Sequence, residues 1–177
     1  MRRLVLEAAL ALSLVTGCAR APDSYPPPIQ RKALPDTEAM PSGLLTEMND
    51  IDAESYFVRD ISMGLEGGRW RWTNQRPELK FYLTSTKGLK LVWDFSIVEA
   101  TFRTTGPVTV SFFVNGQAVG RVSCPKPGDY KFEQPVRREL LKPNDFNFIA
   151  AQADKIWVSE TDGARLGFTM TRAGFVQ

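Results

Sequence analysis

The sequence predicts an all-β fold, an antiparallel two-sheet jelly-roll sandwich that follows a signal peptide and a proline-rich tether. Three observations favour it. β-branched and aromatic residues alternate with polar residues in several short segments. Turn-forming residues separate these segments at short intervals, and no long segment repeats with the period of a helix. The composition, 43% hydrophobic and 24% charged over 177 residues, is typical of a globular chain.

The clearest element is a β-hairpin in residues 107–124, where two apolar runs flank Asn115-Gly116. An Asn-Gly pair in this position is the strongest short-range hairpin signal. A strict two-residue turn would place Arg121 on the apolar face, because a one-residue slip exchanges the two faces of a strand. We expect an added residue at the turn instead, with Gly116 in the left-handed conformation of a bulge. That register aligns two sets of residues, Val108, Val110 and Phe112 with Ala118, Gly120 and Val122.

About eight half-buried antiparallel strands are predicted in all, which indicates a sandwich or jelly roll. Before the hairpin, residues 56–63 alternate loosely, and two further segments alternate strictly. Their apolar faces carry Leu79, Phe81 and Leu83 in the first segment and Leu89, Leu91, Trp93 and Phe95 in the second. After the hairpin, residues 130–134 alternate, and residues 135–141 predict a short helical turn that crosses between the sheets. Two last strands carry Phe146, Phe148 and Ala150, and then Leu166, Phe168 and Met170.

Residues 1–17 have the layout of a secretory signal peptide, with Arg2 and Arg3 before an apolar run and small residues before Cys18. The run is too short to span a bilayer, which needs about 20 apolar residues. Residues 14–18, LVTGC, resemble the lipobox of bacterial lipoproteins. The resemblance implies that Cys18 receives a diacylglyceryl group and anchors the chain to a membrane. Ala19 is not the aspartate that retains enteric lipoproteins in the inner membrane, so the outer membrane is favoured.

Residues 18–43 are rich in proline and poor in apolar periodicity, which predicts a disordered linker between the lipidated cysteine and a β-sandwich domain at 44–177. In polyproline geometry, at about 3.1 Å per residue, the linker could lift the domain on the order of 75 Å from its anchor. If Cys18 is lipidated, Cys124 has no disulfide partner, and we expect it to be a small buried residue without a redox function.

Two classes of function are disfavoured by composition. The sequence contains no histidine, which removes Ser-His-Asp and Cys-His catalysis, and its carboxylates are scattered along the chain. We therefore expect a protein that is not an enzyme. The formal charge of +2 is too small to direct the protein to nucleic acid, and no basic run interleaves with aromatics.

Four segments between Gly64 and Phe175 carry a family resemblance: RWRWT at 69–73, VTVSFFVNGQAVGRV at 108–122, ELLKPNDFNFI at 139–149 and DGARLGFTMTRAGF at 162–175. They resemble the galactose-binding-like jelly rolls that occur as accessory domains of bacterial polysaccharide glycosyltransferases. The resemblance implies a two-sheet fold and, often, sugar binding by loops at one end. It implies no reaction.

Sugar rings present apolar C–H faces and many hydroxyls, so a binding site combines a flat aromatic with polar side chains. Trp70, Arg71 and Trp72 supply both within three residues. In an extended strand the two tryptophans face one way and the arginine the other, so one side belongs to the core while the other is solvated. Packing of Trp70 and Trp72 inside the sandwich is the favoured interpretation, and sugar binding is the alternative.

A second group of candidate sugar-binding residues lies near a predicted loop at residues 153–163. Trp157 is a large aromatic on that loop, and an aromatic in such a position is a candidate for ligand binding, although a role outside binding is the favoured interpretation. Asp162 and Arg165 lie where the loop meets the last strand. They could bind sugar hydroxyls, or they could form an ion pair that closes the turn.

Residues 49–54, NDIDAE, place oxygen ligands at alternate positions, as a calcium ion would require. The segment lacks the glycine and spacing of an EF-hand loop, so a solvated turn is the favoured interpretation and a structural calcium the alternative.

These observations predict a non-catalytic cell-envelope lipoprotein whose jelly roll binds carbohydrate, with surface or exported polysaccharide as the expected ligand. The alternative is a lipoprotein that docks a protein partner of an envelope export or secretion machine. Docking requires a contiguous apolar patch or an open strand edge, whereas glycan binding requires exposed aromatics beside polar groups.

Overall fold

The computed structural model describes residues 43–177, so the predictions for the signal peptide, Cys18 and nearly all of the linker lie outside the described residues. Within that range the chain forms one α-helix, α1 (Glu99–Thr105), two 3-10 turns (Ala53–Tyr56 and Arg138–Leu140), and eleven strands. The strands are β1 (Leu45–Glu47), β2 (Phe57–Ile61), β3 (Arg71–Leu83), β4 (Lys90–Ile97), β5 (Val108–Val114), β6 (Gln117–Cys124), β7 (Gly128–Pro135), β8 (Asp145–Ala153), β9 (Trp157–Val158), β10 (Arg165–Leu166) and β11 (Thr169–Val176).

The strands pair in the order β6-β5-β8-β3-β11-β4-β7, with β1 added to β11 and β2 added to β3, and all of these pairs are antiparallel. Strand β3, 13 residues long, joins the two layers. Its N-terminal end pairs with β11 through Arg71 and Trp72, whereas its C-terminal half pairs with β8. The predicted all-β, antiparallel two-sheet jelly-roll sandwich is confirmed.

The core lies between the layers and contains the apolar faces that the alternation of β3 and β4 predicts. Leu79, Phe81 and Leu83 of β3 are buried, and so are the four predicted residues of the second segment, Leu89, Leu91, Trp93 and Phe95. Phe112 of β5 stacks on Phe132 of β7 with ring centroids 4.0 Å apart, which brings the two ends of the strand order together.

The predicted hairpin is confirmed, with a different position for its bulge. Asn115 and Gly116 both have positive φ (48° and 81°), so the turn itself is the strict two-residue kind. The register shifts two residue pairs away from the turn, between Phe112 and Phe113, where Val119 is the extra residue on β6. Phe112 therefore faces Gly120, and Val110 faces Val122. Arg121 is therefore kept off the core face, as expected, although Ala118 is not part of that face.

Strand β8 is present, but its core face is not the one that carries the phenylalanines. Asn147 is fully buried, while Phe146 and Phe148 point outward. The Asn147 amide is satisfied on both sides, since its oxygen accepts from Lys142 N and Asn115 Nδ2 and its nitrogen donates to the Lys142 carbonyl, each at 2.8 Å. This network fastens the β5–β6 turn to β8 and allows a polar residue in the core.

Other differences from the predicted elements are local. Helix α1 was not predicted, the 3-10 turn at Arg138–Leu140 is shorter than the predicted helical turn, and the predicted last strand is divided between β10 and β11. Cys124 is buried, and burial, with a smaller effect of Asp154, raises the pKa of its thiol to about 11. Residues 43–177 contain no helix of the length and apolarity that crossing a membrane requires.

Candidate functional site

The first residues of β3 invert the usual pattern, because Arg71 points inward and the tryptophans beside it point outward. The Arg71 side chain is only 7% exposed. Its Nε donates to the Met48 carbonyl (3.0 Å) and its Nη1 to the Met63 carbonyl (2.5 Å), and Nη1 also pairs with Glu54 Oε1 at 3.1 Å. The arginine is therefore inside and the tryptophans are half-exposed, so the favoured interpretation that Trp70 and Trp72 pack the core is wrong. Because Arg71 is buried and its Nε and Nη1 bind protein acceptors, it is not part of the site proposed below.

Trp70 and Trp72 contact each other edge to face, with ring centroids 5.7 Å apart and planes at 87°. A tight turn positions the first of them, since Glu66 N donates to the Trp70 carbonyl and Trp70 N donates to the Glu66 carbonyl. The turn contains Gly67 and Gly68, both at positive φ. A Cβ on Gly67 would lie 2.7 Å from Trp70 Nε1, so the indole rests directly against that glycine.

The register of four strands places a row of side chains next to the tryptophans on the same outer face. Trp72 pairs with Thr169, Thr169 with Ser96, and Ser96 with Asp129. One row further along, Asp94 pairs with Lys131. Since neighbouring strands lie about 4.8 Å apart, these residues of β11, β4 and β7 form a polar floor on the order of 10 Å wide.

This floor, together with Arg69 and Trp70 beside it, encloses a groove of about 560 Å³, here called the floor groove. Its polar and aromatic lining residues are Arg69, Trp70, Asp94, Phe95, Ser96, Asp129, Tyr130, Lys131, Thr169 and Thr171. A depression of about 330 Å³ shares Arg69, Asp94 and Thr171 with it and adds Glu47, Asn49 and Arg172. The two together form a hydroxyl- and carboxylate-lined surface that has Trp70 at one margin.

The charges on the floor are largely balanced by local partners. Asp94 Oδ2 pairs with Arg172 Nη2 at 2.7 Å, Ser96 Oγ donates to Asp129 Oδ1 at 2.5 Å, and Lys131 Nζ pairs with Glu133 Oε2 at 3.0 Å. Hydrogen bonds from Lys131 and Lys90 lower the pKa of Glu133.

Some polar groups near the floor keep unused hydrogen-bonding capacity. Within residues 43–177 the buried Asp94 Oδ1 and Arg172 Nε have no hydrogen-bond partner. Arg69 is exposed, and no ion pair or hydrogen bond of its guanidinium is found within the same part of the chain. Buried polar atoms in native structures nearly always have partners, so a floor with open positions suits a hydroxyl-rich ligand or ordered water.

Trp72 lines a second groove of about 410 Å³, here called the side groove. Its other lining residues are Asp60, Ile61, Ser62, Thr73, Asn74, Ala164, Arg165 and Leu166. The structure therefore brings Trp72 and Arg165, two of the predicted sugar-binding residues, to one site. Asp60 has φ 60°, and its Oδ2 accepts from Arg76 N at 3.0 Å.

The remaining predicted residues, Trp157 and Asp162, are in the β9–β10 hairpin but line none of these grooves. Trp157 is half-buried and pairs with Leu166. Asp162 Oδ1 accepts from Ala164 N at 3.0 Å, and hydrogen bonds from Ser159 and from Ala164 N lower its pKa. Within residues 43–177 Asp162 forms no ion pair with Arg165, so the turn is closed by backbone donors instead.

The segment at residues 49–54 serves the fold. Asp50 Oδ2 accepts from Glu47 N at 2.8 Å, and Glu54 pairs with Arg71. Within residues 43–177 no three His, Cys, Asp or Glu side chains are grouped closely enough to hold a metal ion. Asp50 therefore takes part in a turn and Glu54 in an ion pair.

Sequence reasoning missed the floor. Alternation in β4 places Asp94 and Ser96 on the outer face, but only the register of β4 with β7 and β11 shows that Asp129, Lys131 and Thr169 lie beside them. That register depends on long-range pairing, which no local pattern encodes.

No family model matches the chain. No curated protein sequence matches it either. Solved structures that are similar to it include a family 35 carbohydrate-binding module from an environmental isolate, with TM-score 0.45 and 13% identity over 75% of this chain and 92% of that chain. They also include CBM35 from Cellvibrio japonicus Abf62 (TM-score 0.44, 16% identity, 76% and 92%) and a family 35 module from Clostridium thermocellum (0.42, 11%, 71% and 94%). At these values the comparisons assign no role to any residue here, and the resemblance to glycosyltransferase accessory domains stays a prediction.

Proposed function

We propose that this chain is a non-catalytic, lipid-anchored protein of the bacterial cell envelope whose β-sandwich binds carbohydrate in the floor groove. One observation carries the proposal: Trp70, half-exposed and fixed by its turn, stands at the margin of a polar floor made by three adjacent strands.

The chemistry of the groove suits a sugar ring. An indole face packs against the apolar C–H face of a pyranose, while carboxylates and hydroxyls bind its equatorial hydroxyl groups. Asp94, Asp129 and Ser96 supply acceptors, and Arg69 and Lys131 supply donors. A volume of about 560 Å³ lies within the roughly 300–1,000 Å³ typical of small-ligand sites, so the floor groove suits a short oligosaccharide.

Features of the sequence support both the proposed location of the chain in the cell envelope and its proposed non-catalytic role. The lipobox resemblance at residues 14–18 supports anchoring through Cys18, the proline-rich linker supports a domain held away from the bilayer, and the residue after the cysteine favours the outer membrane. The complete absence of histidine supports a binding role. Surface or exported polysaccharide is the ligand expected in this location.

Calorimetric titration of the full-length chain with cello-, xylo-, chito- and uronate oligosaccharides tests carbohydrate binding. Replacing Trp70 with alanine removes the stacking surface and should weaken binding at least about tenfold, since an aromatic contact contributes on the order of 1.5 kcal/mol beyond its buried area. The control is Phe148→Ala, which removes an exposed aromatic ring of β8 outside both the floor groove and the side groove, and should leave affinity unchanged.

A wild-type chain that responds to no glycan would contradict the proposal. If such a chain instead cross-linked in cells to one reproducible envelope protein, the assembly-protein alternative would replace it. Anchoring is tested separately: Cys18→Ser should abolish incorporation of radiolabelled palmitate and release the protein from the membrane fraction, and undiminished labelling would contradict the lipid anchor.

A further inference from the structure

We propose that the side groove is a second carbohydrate subsite, so that one oligosaccharide chain is held on both sides of the tryptophan pair. This inference rests on the proposed function and adds a binding site to it. The side groove has its own aromatic residue, Trp72, and its own polar groups, Asp60, Asn74 and Arg165. It shares no lining residue with the floor groove.

The geometry of the two indoles points to two subsites. Their planes are at 87°, so Trp70 and Trp72 cannot form one flat platform under a straight glycan. Trp70 lines the floor groove and Trp72 lines the side groove, although their ring centroids are only 5.7 Å apart. A single chain that uses both indoles must therefore change direction at this ridge, which favours a bent or twisted glycan over a flat one.

The polar groups of the side groove are arranged to receive a ligand. Asp60 has φ 60°, a left-handed conformation that few non-glycine residues adopt, and its carboxylate is oriented by the hydrogen bond from Arg76 N at 3.0 Å. Asn74 and Arg165 are exposed, and their side chains make no hydrogen bond or ion pair within residues 43–177. An acceptor and two sets of donors therefore surround Trp72.

Both walls of the side groove are fixed by the backbone. Gly167 N donates to the Thr73 carbonyl at 2.8 Å, and a Cβ on Gly167 would lie 2.4 Å from the Asn74 carbonyl oxygen, so only glycine permits this approach. The hairpin that carries Arg165 is closed by Ser159 N donating to the Ala164 carbonyl at 2.8 Å. Such preorganisation reduces the ordering that a ligand must impose.

The inference predicts that affinity depends on glycan length. A disaccharide occupies the floor groove alone, whereas a hexasaccharide of the same sugar reaches the side groove as well and binds more tightly, because the second contact is intramolecular. Titrations of the full-length chain with di- and hexasaccharides of whichever sugar series binds provide the measurement. The variants are Asn74→Ala and Arg165→Ala, alone and together, with Arg138→Ala as an exposed-arginine control outside both grooves.

The double variant should weaken hexasaccharide binding by about tenfold and leave disaccharide binding unchanged, because only hydrogen bonds in the side groove are lost. The stoichiometry with hexasaccharide should be one per chain. Equal affinities of wild type and double variant for the hexasaccharide would overturn the second subsite, and two hexasaccharides per chain would overturn the single-ligand arrangement. A wild-type chain that binds no glycan of any length would instead overturn the proposed function.

Discussion

In both halves of β3 alternate side chains point inward, but the inward side chains are apolar in the C-terminal half and include a charged residue in the N-terminal half. In the C-terminal half, Leu79, Phe81 and Leu83 face the core, as the sequence pattern predicts. In the N-terminal half a charged residue, Arg71, faces inward, and Trp72 faces out. Local rules of patterning hold in one half and fail in the other, and the failure occurs at the candidate site, as is common where function competes with foldability.

The difference follows from what each half contacts. The C-terminal half lies between β2 and β8. Its inner face contacts aromatic rings: the ring centroid of Phe81 lies 4.9 Å from that of Tyr56 and 5.8 Å from that of Phe175. The N-terminal end leaves β8 and pairs with β11, where Arg71 binds the carbonyls of Met48 and Met63. One half therefore stabilises the sandwich, and the other positions the groove, so variants in the two halves should have separable effects.

The largest expected effect is the loss of Phe81 from the C-terminal half. Replacing a fully buried phenylalanine with alanine leaves a cavity and should lower the free energy of unfolding by about 3–5 kcal/mol. Its outward neighbour provides the comparison, since Tyr82→Ala removes an edge-to-face contact with Phe146 (ring centroids 5.5 Å apart) and should cost only about 1 kcal/mol. Urea denaturation measures both values. Equal losses in free energy of unfolding would show that Phe81 and Tyr82 do not lie on a buried and an exposed face of the strand.

In the N-terminal half, Arg71→Met should cost about 2 kcal/mol, because it leaves two carbonyls and the Glu54 carboxylate without their donor. Amide chemical shifts should change mainly between residues 48 and 63. Arg69→Met is the matched control, as Arg69 is exposed and lines the floor groove. It should change stability by less than about 0.5 kcal/mol while weakening glycan binding. A stability loss as large as that of Arg71→Met would contradict the assignment.

Much of the fold could be predicted because its signals are local. The Asn115-Gly116 turn and the two-residue period of β4 depend on neighbours in sequence, and both are found as predicted. The bulge is not at Gly116, because Asn115 and Gly116 both have positive φ and form a two-residue turn. The extra residue lies further along the hairpin, where the register shifts between Phe112 and Phe113. The buried Asn147 could not be predicted, since its burial depends on partners at Asn115 and Lys142 that only the fold brings close.

The candidate site was less predictable than the fold. The RWRWT segment indicated Trp70 and Trp72 as candidates, but the favoured interpretation placed both tryptophans in the core, and the structure has them half-exposed. Arg71 is inside because acceptors from Met48 and Met63 meet it there, and these contacts are long-range. Trp157 was predicted to be a loop residue, whereas it belongs to a short strand paired with Leu166.

A smaller effect should separate the two glycines of the turn before Trp70. Gly67 and Gly68 both have positive φ, so alanine at either position should cost roughly 1–2 kcal/mol of backbone strain. Only the Gly67 Cβ would collide with the Trp70 indole, whereas nothing lies within 4 Å of a Cβ on Gly68. Gly67→Ala should therefore weaken glycan binding about tenfold and alter the near-ultraviolet circular dichroism of the tryptophan pair. Equal affinities of the two variants would mean that the turn does not set the indole.

The smallest effect tests how far the influence of the N-terminal half extends across the floor. At the far side, hydrogen bonds from Lys131 and then Lys90 lower the pKa of Glu133 below its ordinary value of 4.5. These hydrogen bonds stabilise the folded protein at pH values above 4.5, and this stabilisation is lost as the pH falls through the lowered pKa of Glu133. Carboxyl carbon shifts followed by NMR should show the pKa of Glu133 rising towards 4.5 in Lys131→Met, and rising less in Lys90→Met. Trp70→Ala should leave this titration unchanged, because Lys131 is oriented by Glu133 at 3.0 Å and not by the indole. A changed pKa of Glu133 in Trp70→Ala would show that Trp70 and the far side of the floor are coupled. The groove would then not be preformed on β4 and β7 alone.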